Sequence, residues 1–228
     1  MINPQTKVLL NQFTKIKLFD THRAMLIGGT ALAYHLKHRE SFDLDICFPY
    51  NKTLPSLDFL ADFEDIEKIK FDNFTVDTTI NEGGDIDEVM QRYIINGVKV
   101  DFVVNPASNI YEKEILQNDK FTSKIGSLHI ASIDAIFKLK SLLLFDRNKI
   151  RDLYDIVYML KHCKFNGRDF IDTITRYRIT YRPKDIITFI EAKQEDPLDY
   201  EGIHSPVMNI ADYDSLKNEL LSLLTDFI

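Results

Sequence analysis

Cysteine is scarce in this sequence, which holds only Cys47 and Cys163 among its 228 residues. Two cysteines can form neither a disulfide framework nor, by themselves, a zinc site. Each stands among apolar residues, so we expect buried thiols in a protein of a reducing compartment. The six histidines show no spacing typical of metal ligands, and the sequence contains no His-Glu-x-x-His motif.

Long apolar runs are missing as well. No segment approaches the length of about 20 apolar residues that a transmembrane helix needs, and residues 1–13 lack the apolar region of a signal peptide. The glycine motifs of P-loop and dinucleotide-binding proteins are absent, as is the Gly-x-Ser-x-Gly turn of many esterases. We therefore predict a soluble cytoplasmic protein without membrane contact, outside these enzyme classes.

Charge, by contrast, is plentiful and unevenly distributed. The formal net charge of −7 argues against a protein that coats nucleic acid generally. Residues 138–184, however, contain twelve Lys and Arg and five Asp and Glu, a net charge of +7, which leaves −14 for the rest of the chain. A basic segment in an acidic protein suggests an anion-binding surface that faces an acidic metal site. Solvated helix faces would explain the same segment equally well.

The apolar fraction of 45% and the aromatic fraction of 11% are sufficient for a real hydrophobic core. Residue patterning divides the chain into a mixed α/β part, residues 1–130, and a helical part, residues 131–228, so the predicted class is α+β. Helices are predicted at 4–20, 30–37, 54–69, 132–145, 150–163, 167–178, 183–193 and 214–227. Strands are predicted at 24–27, 42–48, 71–80, 91–95, 98–104 and 128–130, with a hairpin turn at Asn96-Gly97 and an irregular connection at 110–120.

One stretch combines a glycine turn with a pair of acids. An apolar strand is followed by Gly28-Gly29-Thr30, a short helix, and a second strand with Asp43-Leu44-Asp45. The first N–H groups of the helix have no partner within it and can bind phosphate. Asp43 and Asp45 have the same parity on their strand, so both carboxylates face one side of the sheet and could hold a divalent metal ion. Such a site suits chemistry on a nucleoside triphosphate; a loop cap beside solvated acids is the alternative.

A third acid, Asp101, lies within the apolar segment 98–104. A buried carboxylate is costly unless it meets a cation, a hydrogen-bond donor or a metal. Beside Asp43 and Asp45 it would complete a two-metal site, in which one metal activates the attacking oxygen and the other holds the triphosphate. An acid at a strand edge, satisfied by backbone groups, is the alternative.

The helical part has two features of its own. Lys138 and Lys140 lie on an otherwise apolar predicted helix. A functional lysine there would neutralise the leaving pyrophosphate, although lysines on such helices often only extend to solvent. Asp152 and Asp155 share a face in the first turn of the next helix, where acids also favour the helix dipole. Asp152 either holds a basic group in the site or contacts the nucleotide.

Four pieces of the sequence occur in a fixed order. They are Gly28-Gly29-Thr30 with Asp43-Leu44-Asp45, Val100-Asp101-Phe102, Phe137-Lys138-Leu139-Lys140 with Arg147, and Arg151-Asp152-Leu153-Tyr154-Asp155-Ile156. As an ordered set they resemble the AbiEii/AbiGii toxin family of nucleotidyltransferases, a branch of the DNA polymerase β-like superfamily. The resemblance covers roughly residues 20–165. It implies a minimal nucleotidyltransferase core, with a mixed sheet flanked by helices, followed by a C-terminal helical domain.

The resemblance also implies roles for single residues. Asp43, Asp45 and Asp101 would bind Mg²⁺ or Mn²⁺, and Asp101 would also act as the base for the incoming hydroxyl. Lys138 matches the basic helix position that offsets charge on the leaving group. The remaining nucleotide-binding positions fall on Gly28, Gly29, Thr30, Ser41 (with Arg39 beside it), Arg151, Asp152 and Asp155.

Members of this family act as toxins of toxin–antitoxin pairs, and some transfer nucleotides to tRNA ends. The resemblance therefore implies a metal-dependent transferase that moves a nucleoside monophosphate from a triphosphate to an acceptor hydroxyl, with RNA such as tRNA as acceptor and a cognate antitoxin as partner. A non-catalytic nucleotide- or partner-binding module on the same fold stays open. A phosphatase or glycosyltransferase that uses Asp-x-Asp is a further alternative. In a haloacid-dehalogenase-type phosphatase the acid pair follows an apolar strand and precedes Thr or Val. Here Glu40-Ser41-Phe42 precedes the pair and Ile46-Cys47 follows it, which disfavours this alternative.

Overall fold

The structure, a computed structural model, describes residues 1–72, 84–104, 110–118, 122–197 and 212–227. The chain forms two compact units. The first consists of Met1–Lys37 and Ser41–Ile133 and contains the β-sheet, whereas the second consists of His38–Glu40 and Asp134–Ile228 and is helical. The predicted α+β class is confirmed. The predicted boundary between a domain 1–130 and a domain 131–228 stays a prediction.

The described part of the first unit contains one mixed sheet. Its strands lie in the order β3-β4-β5-β2-β1-β7-β6. β2 pairs in parallel with β5, and β1 in parallel with β7, while the other neighbours are antiparallel. The strands are β1 Met25–Ile27, β2 Leu44–Cys47, β3 Ile66–Ile69, β4 Met90–Ile95, β5 Val98–Val103, β6 Thr122–Ile125 and β7 Leu128–Ala131.

Helices of the first unit surround this sheet, and aromatic rings fill the space between them. The ring of Phe13 lies within about 6 Å of the rings of Phe19, Phe59 and Phe102, at centroid distances of 5.4, 6.0 and 6.1 Å. These contacts join the N-terminal helices to the face of β5. The helices are α1 Pro4–Phe13, α2 Lys17–Thr21, α3 Gly28–Leu36, α4 Ile86–Val89 and α5 Ile110–Gln117.

The helical unit is built from amphipathic helices whose apolar faces are buried. On its second helix, Leu153, Ile156 and Leu160 recur at helical spacing and are buried. The predicted helices of residues 132–228 are confirmed, with small shifts at their ends. They are α6 Ile133–Leu143, α7 Ile150–His162, α8 Gly167–Tyr177, α9 Pro183–Ala192 and α10 Tyr213–Leu224. Among the described residues, none of the helices combines the length and the apolar character that a bilayer crossing requires.

The helix predicted for residues 54–69 is wrong. A 3₁₀ turn, Asp58–Asp62, and strand β3 occupy this stretch. Pro55 interrupts a helix that would include it. Residues Ile66–Ile69 instead form backbone hydrogen bonds with β4, as one strand of the sheet. The helix predicted for 4–20 is interrupted at residues 14–16, which separate α1 from α2.

Other differences lie in the connections. Residues 110–117 form helix α5 where an irregular connection was predicted, and strand β6 was not predicted. Of the strand predicted for 71–80, residues 73–80 lie outside the described residues, and residues 71–72 belong to no strand. The hairpin around Asn96-Gly97 is confirmed, and both turn residues have positive φ, 47° and 75°.

Candidate active site

Gly28 lies where β1 ends and α3 begins, and its backbone has φ +71°, a conformation that favours glycine. A Cβ atom at this position would lie only 2.2 Å from Oδ2 of Asp45. No larger residue fits without displacing that carboxylate. The first N–H groups of α3, from Gly28, Gly29 and Thr30, have no partner within the helix and carry the positive end of its dipole. Anion-binding groups and an acid therefore meet at one corner of the fold.

Strand register brings the predicted acids to one face of the sheet. Ile27 on β1 pairs with Asp45 on β2, and Asp45 pairs with Asp101 on β5. Side chains paired across neighbouring strands project to the same face. Asp43 precedes Asp45 by two residues and therefore shares its parity. Asp101 is 8% exposed, whereas Asp43 and Asp45 are half-buried.

Thr30 and Ser41 connect the glycine turn to the acid pair. The Thr30 hydroxyl donates to the carbonyl oxygen of Asp43, and its oxygen lies 2.7 Å from Oγ of Ser41. Both side chains are buried. Their hydroxyl groups thus act within the fold, so the group that Thr30 can offer to a phosphate is its backbone N–H. The contacts fix the start of α3 against the residue that enters β2.

Asp101 and Asp43 are each paired with a basic side chain of the sheet. Arg92 on β4 binds both oxygens of Asp101, with Nε 2.6 Å from Oδ1 and Nη2 2.8 Å from Oδ2. The hydrogen bond to Asp101 raises the pKa of Arg92; burial opposes this, and the charges of Asp45 and Asp43 add to it. Lys99 on β5 lies 3.9 Å from Asp43, a much looser ion pair. The predicted metal ligands therefore have internal counterions.

The donor set suits a divalent metal ion in chemistry and in position. Carboxylate oxygens are the ligands that Mg²⁺ and Mn²⁺ prefer, and Gly28 leaves room for the carboxylate of Asp45. As the side chains stand, however, no three acidic, histidine or cysteine residues within the described ranges lie close enough together to hold a cation. Asp101 is bound to Arg92 instead. Metal binding at all three acids would require Asp101 to part from Arg92.

Asp152 and Asp155 occupy the centre of a buried ion-pair cluster in the helical unit. Nζ of Lys140 on α6 lies 2.5 Å from Oδ1 of Asp152 and 2.9 Å from Oδ2 of Asp155. Arg147 adds a hydrogen bond of 2.6 Å from its Nε to Asp152. Burial acts to raise the pKa of Asp152, but the charges of Lys140 and Arg147 outweigh it and lower the pKa to about 2. Of the two predicted roles for Asp152, the geometry fits the one in which it holds a basic group.

The connection His38–Glu40 joins the same cluster through Asp155, which is fully buried. Nε and Nη2 of Arg39 donate to its two oxygens at 2.7 and 2.9 Å, and Nε2 of His38 lies 2.7 Å from Oδ1. Burial acts to raise the pKa of Asp155, but Lys140 and Arg39 hold it well below its ordinary value. Burial lowers the pKa of His38, so its neutral imidazole donates to this carboxylate.

Lys138 and Arg151 lie in the helical unit, on α6 and α7, and both are half-buried. Burial lowers the pKa of Lys138, and the charge of Arg176 on α8 acts in the same direction. The charge of Asp134 on the same helix acts in the opposite direction. The predicted roles of Lys138 and Arg151 at the nucleotide stay predictions.

The sequence motifs assign no role to Arg92, Lys99 or His38. The position of Arg92 could have been predicted from the sequence. A two-residue hairpin turn at Asn96-Gly97 fixes the pairing of the two strands and sets Arg92 opposite Asp101. The burial of Lys140 could also have been predicted, because it follows Ile136 and Phe137 at helical spacing and therefore lies on the buried face of α6.

Two solved structures share this fold. JHP933 from Helicobacter pylori is 20% identical, with 99% of this chain and 92% of that chain covered and a TM-score of 0.54. A putative nucleotidyltransferase from H. pylori is 18% identical, with 97% and 93% covered and a TM-score of 0.52. MenT4, a nucleotidyltransferase toxin from Mycobacterium tuberculosis, is 13% identical over 98% of this chain and 85% of that chain, and its TM-score of 0.49 is too low to carry an argument. A search among curated proteins finds no match.

The sequence profile described as nucleotidyl transferase AbiEii toxin, of a type IV toxin–antitoxin system, matches residues 13–226. This match extends well past residues 20–165, over which the motifs carried the resemblance. It takes in strands β1, β2 and β5 with their acids and the buried cluster of the helical unit. The predicted resemblance is confirmed, and the chain belongs to the AbiEii family of nucleotidyl transferase toxins.

Proposed function

We propose that this protein transfers a nucleoside monophosphate from a nucleoside triphosphate to an acceptor hydroxyl. The observation that carries the proposal is the register that aligns Ile27, Asp45 and Asp101 on adjacent strands β1, β2 and β5. Gly28 follows Ile27 directly, so the glycine turn lies beside Asp45. The acceptor oxygen attacks the α-phosphorus. The bond from that phosphorus to the α,β-bridging oxygen breaks, and pyrophosphate leaves. Catalysis consists mainly of positioning and charge neutralisation.

The glycine turn and the three acids have separate roles in this proposal. The backbone N–H groups of Gly28, Gly29 and Thr30 bind the triphosphate. Asp43, Asp45 and Asp101 would hold Mg²⁺ or Mn²⁺, which when bound supplies Lewis-acid stabilisation of the phosphoryl oxygens. Asp101 would also accept the proton of the attacking hydroxyl once its oxygens are available. Ser41 acts indirectly, through its contact with Thr30.

In the helical unit we propose different roles for the lysines and the acids. Lys138 offsets charge on the leaving pyrophosphate, and Arg151 assists in binding nucleotide. Asp152 and Asp155 are buried and already paired, so we assign to them the holding of basic groups. This assignment replaces the direct nucleotide contact that the motif alone left open.

The acceptor that we propose is RNA, with tRNA as the first candidate. The basic segment 138–184, with its net charge of +7, supports it, because phosphate contacts from Lys and Arg give affinity that falls with salt. A cognate antitoxin is the proposed protein partner, and the cytoplasm is the proposed location of the reaction.

The direct test is label transfer by the full-length protein. The protein is incubated with each of the four α-³²P-labelled nucleoside triphosphates and with tRNA. We expect labelled RNA in the presence of Mg²⁺ or Mn²⁺, its loss on adding EDTA, and a steep decline in RNA binding as salt rises. Calorimetry with the same triphosphates runs alongside. Nucleotide binding without any transfer would replace the proposal by a non-catalytic binding module, and binding that ignores salt would argue against RNA.

Gly28→Ala is expected to lower transfer by about 10²-fold, because a displaced carboxylate of Asp45 no longer has the productive geometry. The positive φ adds a loss of about 1–2 kcal/mol in the free energy of unfolding. Gly97→Ala is the matched control: it has the same kind of backbone strain at φ +75°, but its Cβ meets only the end of the Gln5 side chain, at 2.7 Å. Its transfer rate should match wild type. Equal rates for the two variants would contradict the role of Gly28.

A further inference from the structure

Arg92 binds the third acid of the candidate site with both arms of its guanidinium group. Nε–H and Nη2–H of Arg92 donate hydrogen bonds of 2.6 and 2.8 Å, which take up one acceptor position on each oxygen of Asp101. The side chains of the pair are 28% and 10% exposed. A charge-assisted pair of this bidentate type is among the strongest side-chain interactions. It is built into the fold, because Arg92 and Asp101 are direct partners across β4 and β5.

The pair conflicts with both tasks that the proposed function gives to Asp101. A guanidinium on both oxygens opposes a metal cation by charge repulsion, and it occupies positions that the proton of an attacking hydroxyl would need. Lys99, the counterion of Asp43, does not block its carboxylate in this way. Lys99 lies 3.9 Å from Asp43 and engages neither oxygen at hydrogen-bonding distance. Arg92 therefore acts on Asp101 through two hydrogen bonds as well as through its charge.

A guanidinium that can release a carboxylate has an obvious second partner at a triphosphate site. Its planar fork fits phosphate oxygens in the same bidentate geometry as it fits a carboxylate. Arg92 is partly exposed, so its side chain is not confined by packing on all sides. The ring of Phe71, whose centroid lies 5.2 Å from the guanidinium carbon, offers a surface along which this flat group can turn.

We propose that Arg92 is a latch on Asp101: it holds the acid in the nucleotide-free protein, moves to the phosphates of the bound nucleoside triphosphate, and thereby releases Asp101 to the metal ion and the acceptor. The inference rests on the proposed function and adds an order of events to it. Arg92 is a positioning residue in this scheme, because it acts on metal binding through Asp101. The nucleotide, and not the metal ion alone, completes the site.

Mn²⁺ binding to the full-length protein tests the latch without any measurement of activity. Bound and free Mn²⁺ are separated by electron paramagnetic resonance in wild type, Arg92→Met and Lys99→Met. We expect Arg92→Met to bind Mn²⁺ at least tenfold more tightly than wild type when no nucleotide is present. Lys99→Met removes one positive charge from the same face but no bidentate contact, and it should change the affinity less than threefold. Equal effects of the two variants would overturn the latch, as would unchanged or weaker binding by Arg92→Met.

A second arm adds a triphosphate in which a methylene group replaces the α,β-bridging oxygen, so that no transfer occurs. This nucleotide should tighten Mn²⁺ binding by a larger factor in wild type than in Arg92→Met, because only wild type has a latch to open. An equal gain in both proteins would overturn the proposal. If Arg92→Met does not fold, Arg92→Lys, which keeps the charge but lacks the fork, replaces it and should also bind Mn²⁺ more tightly than wild type.

The outcomes separate this inference from the proposed function. Tighter Mn²⁺ binding by Arg92→Met, with no transfer by any protein, would retain the latch and remove the transferase activity. Active transfer by wild type, with no difference in Mn²⁺ affinity, would retain the transferase and remove the latch.

Discussion

Asp45→Asn is expected to reduce nucleotide transfer by about 10³-fold, since Lewis-acid stabilisation of this kind contributes several kcal/mol to a transition state. Asparagine keeps the shape of the side chain beside Gly28 but removes its charge. The three acids and their counterions Arg92 and Lys99 together carry a net charge of −1, and the substitution brings it to zero. This group of side chains then has no excess negative charge with which to attract a divalent cation. The measurement is kcat/KM for transfer from an α-labelled triphosphate.

Asp20→Asn supplies the matched control for this prediction. It makes the same chemical change in the same unit, at a side chain that is 57% exposed and paired with the half-exposed Lys124. Its transfer rate should equal that of wild type, and circular dichroism should show both variants folded. If Asp45→Asn kept more than a tenth of the wild-type rate, the role of Asp45 as a metal ligand would be refuted.

Asp155→Ala is expected to lower the free energy of unfolding by about 3–5 kcal/mol, which is the usual effect of removing one member of a buried ion pair. The substitution removes the carboxylate that both Arg39 and Lys140 contact, and it leaves Lys140 with Asp152 as its remaining partner in the cluster. It also removes the acceptor of the His38 Nε2–H. Urea denaturation followed by circular dichroism measures the change.

An exposed ion pair of the same unit calibrates the size of this effect. Lys161 and Glu219 lie 2.8 Å apart and are 37% and 43% exposed. Glu219→Ala should therefore change the free energy of unfolding by only about 0.2–1 kcal/mol. A loss below about 1 kcal/mol for Asp155→Ala would show that the cluster is hydrated and does not organise the unit.

The elements that the sequence predicted well are those whose signals are local. The glycine turn, the parity of Asp43 and Asp45, and the two-residue turn at Asn96-Gly97 each follow from a few adjacent residues. The predicted helices of the C-terminal part rest on repeated apolar spacing over several turns. Residues 54–69 show the limit of that signal. Their spacing was compatible with a helix, but the pairing of β3 with a strand more than twenty residues later decides the structure.

The sequence predicted that Asp152 could hold a basic group, but the partners within the ion-pair cluster could not be predicted, for the same reason. Arg39 and Asp155 are separated by 116 positions, and no local pattern links them. The resemblance pointed to Lys138 as the functional lysine. It did not distinguish a lysine that neutralises a bound phosphate from one that neutralises a buried carboxylate of the protein. Lys140, two residues later, proved to be the buried counterion of Asp152 and Asp155. Which charged side chains become buried together depends on contacts between segments that are far apart in the sequence.

The turn between β4 and β5 has a consequence for which sequence changes this protein can tolerate. Side chains alternate between the two faces of a strand, so a shift of one position turns every side chain over. If the turn keeps two residues, one residue inserted between Ile95 and Val98, or one deleted there, sets Asp101 opposite a neighbour of Arg92. We therefore expect insertions and deletions at this turn to be far more damaging than substitutions of its two residues.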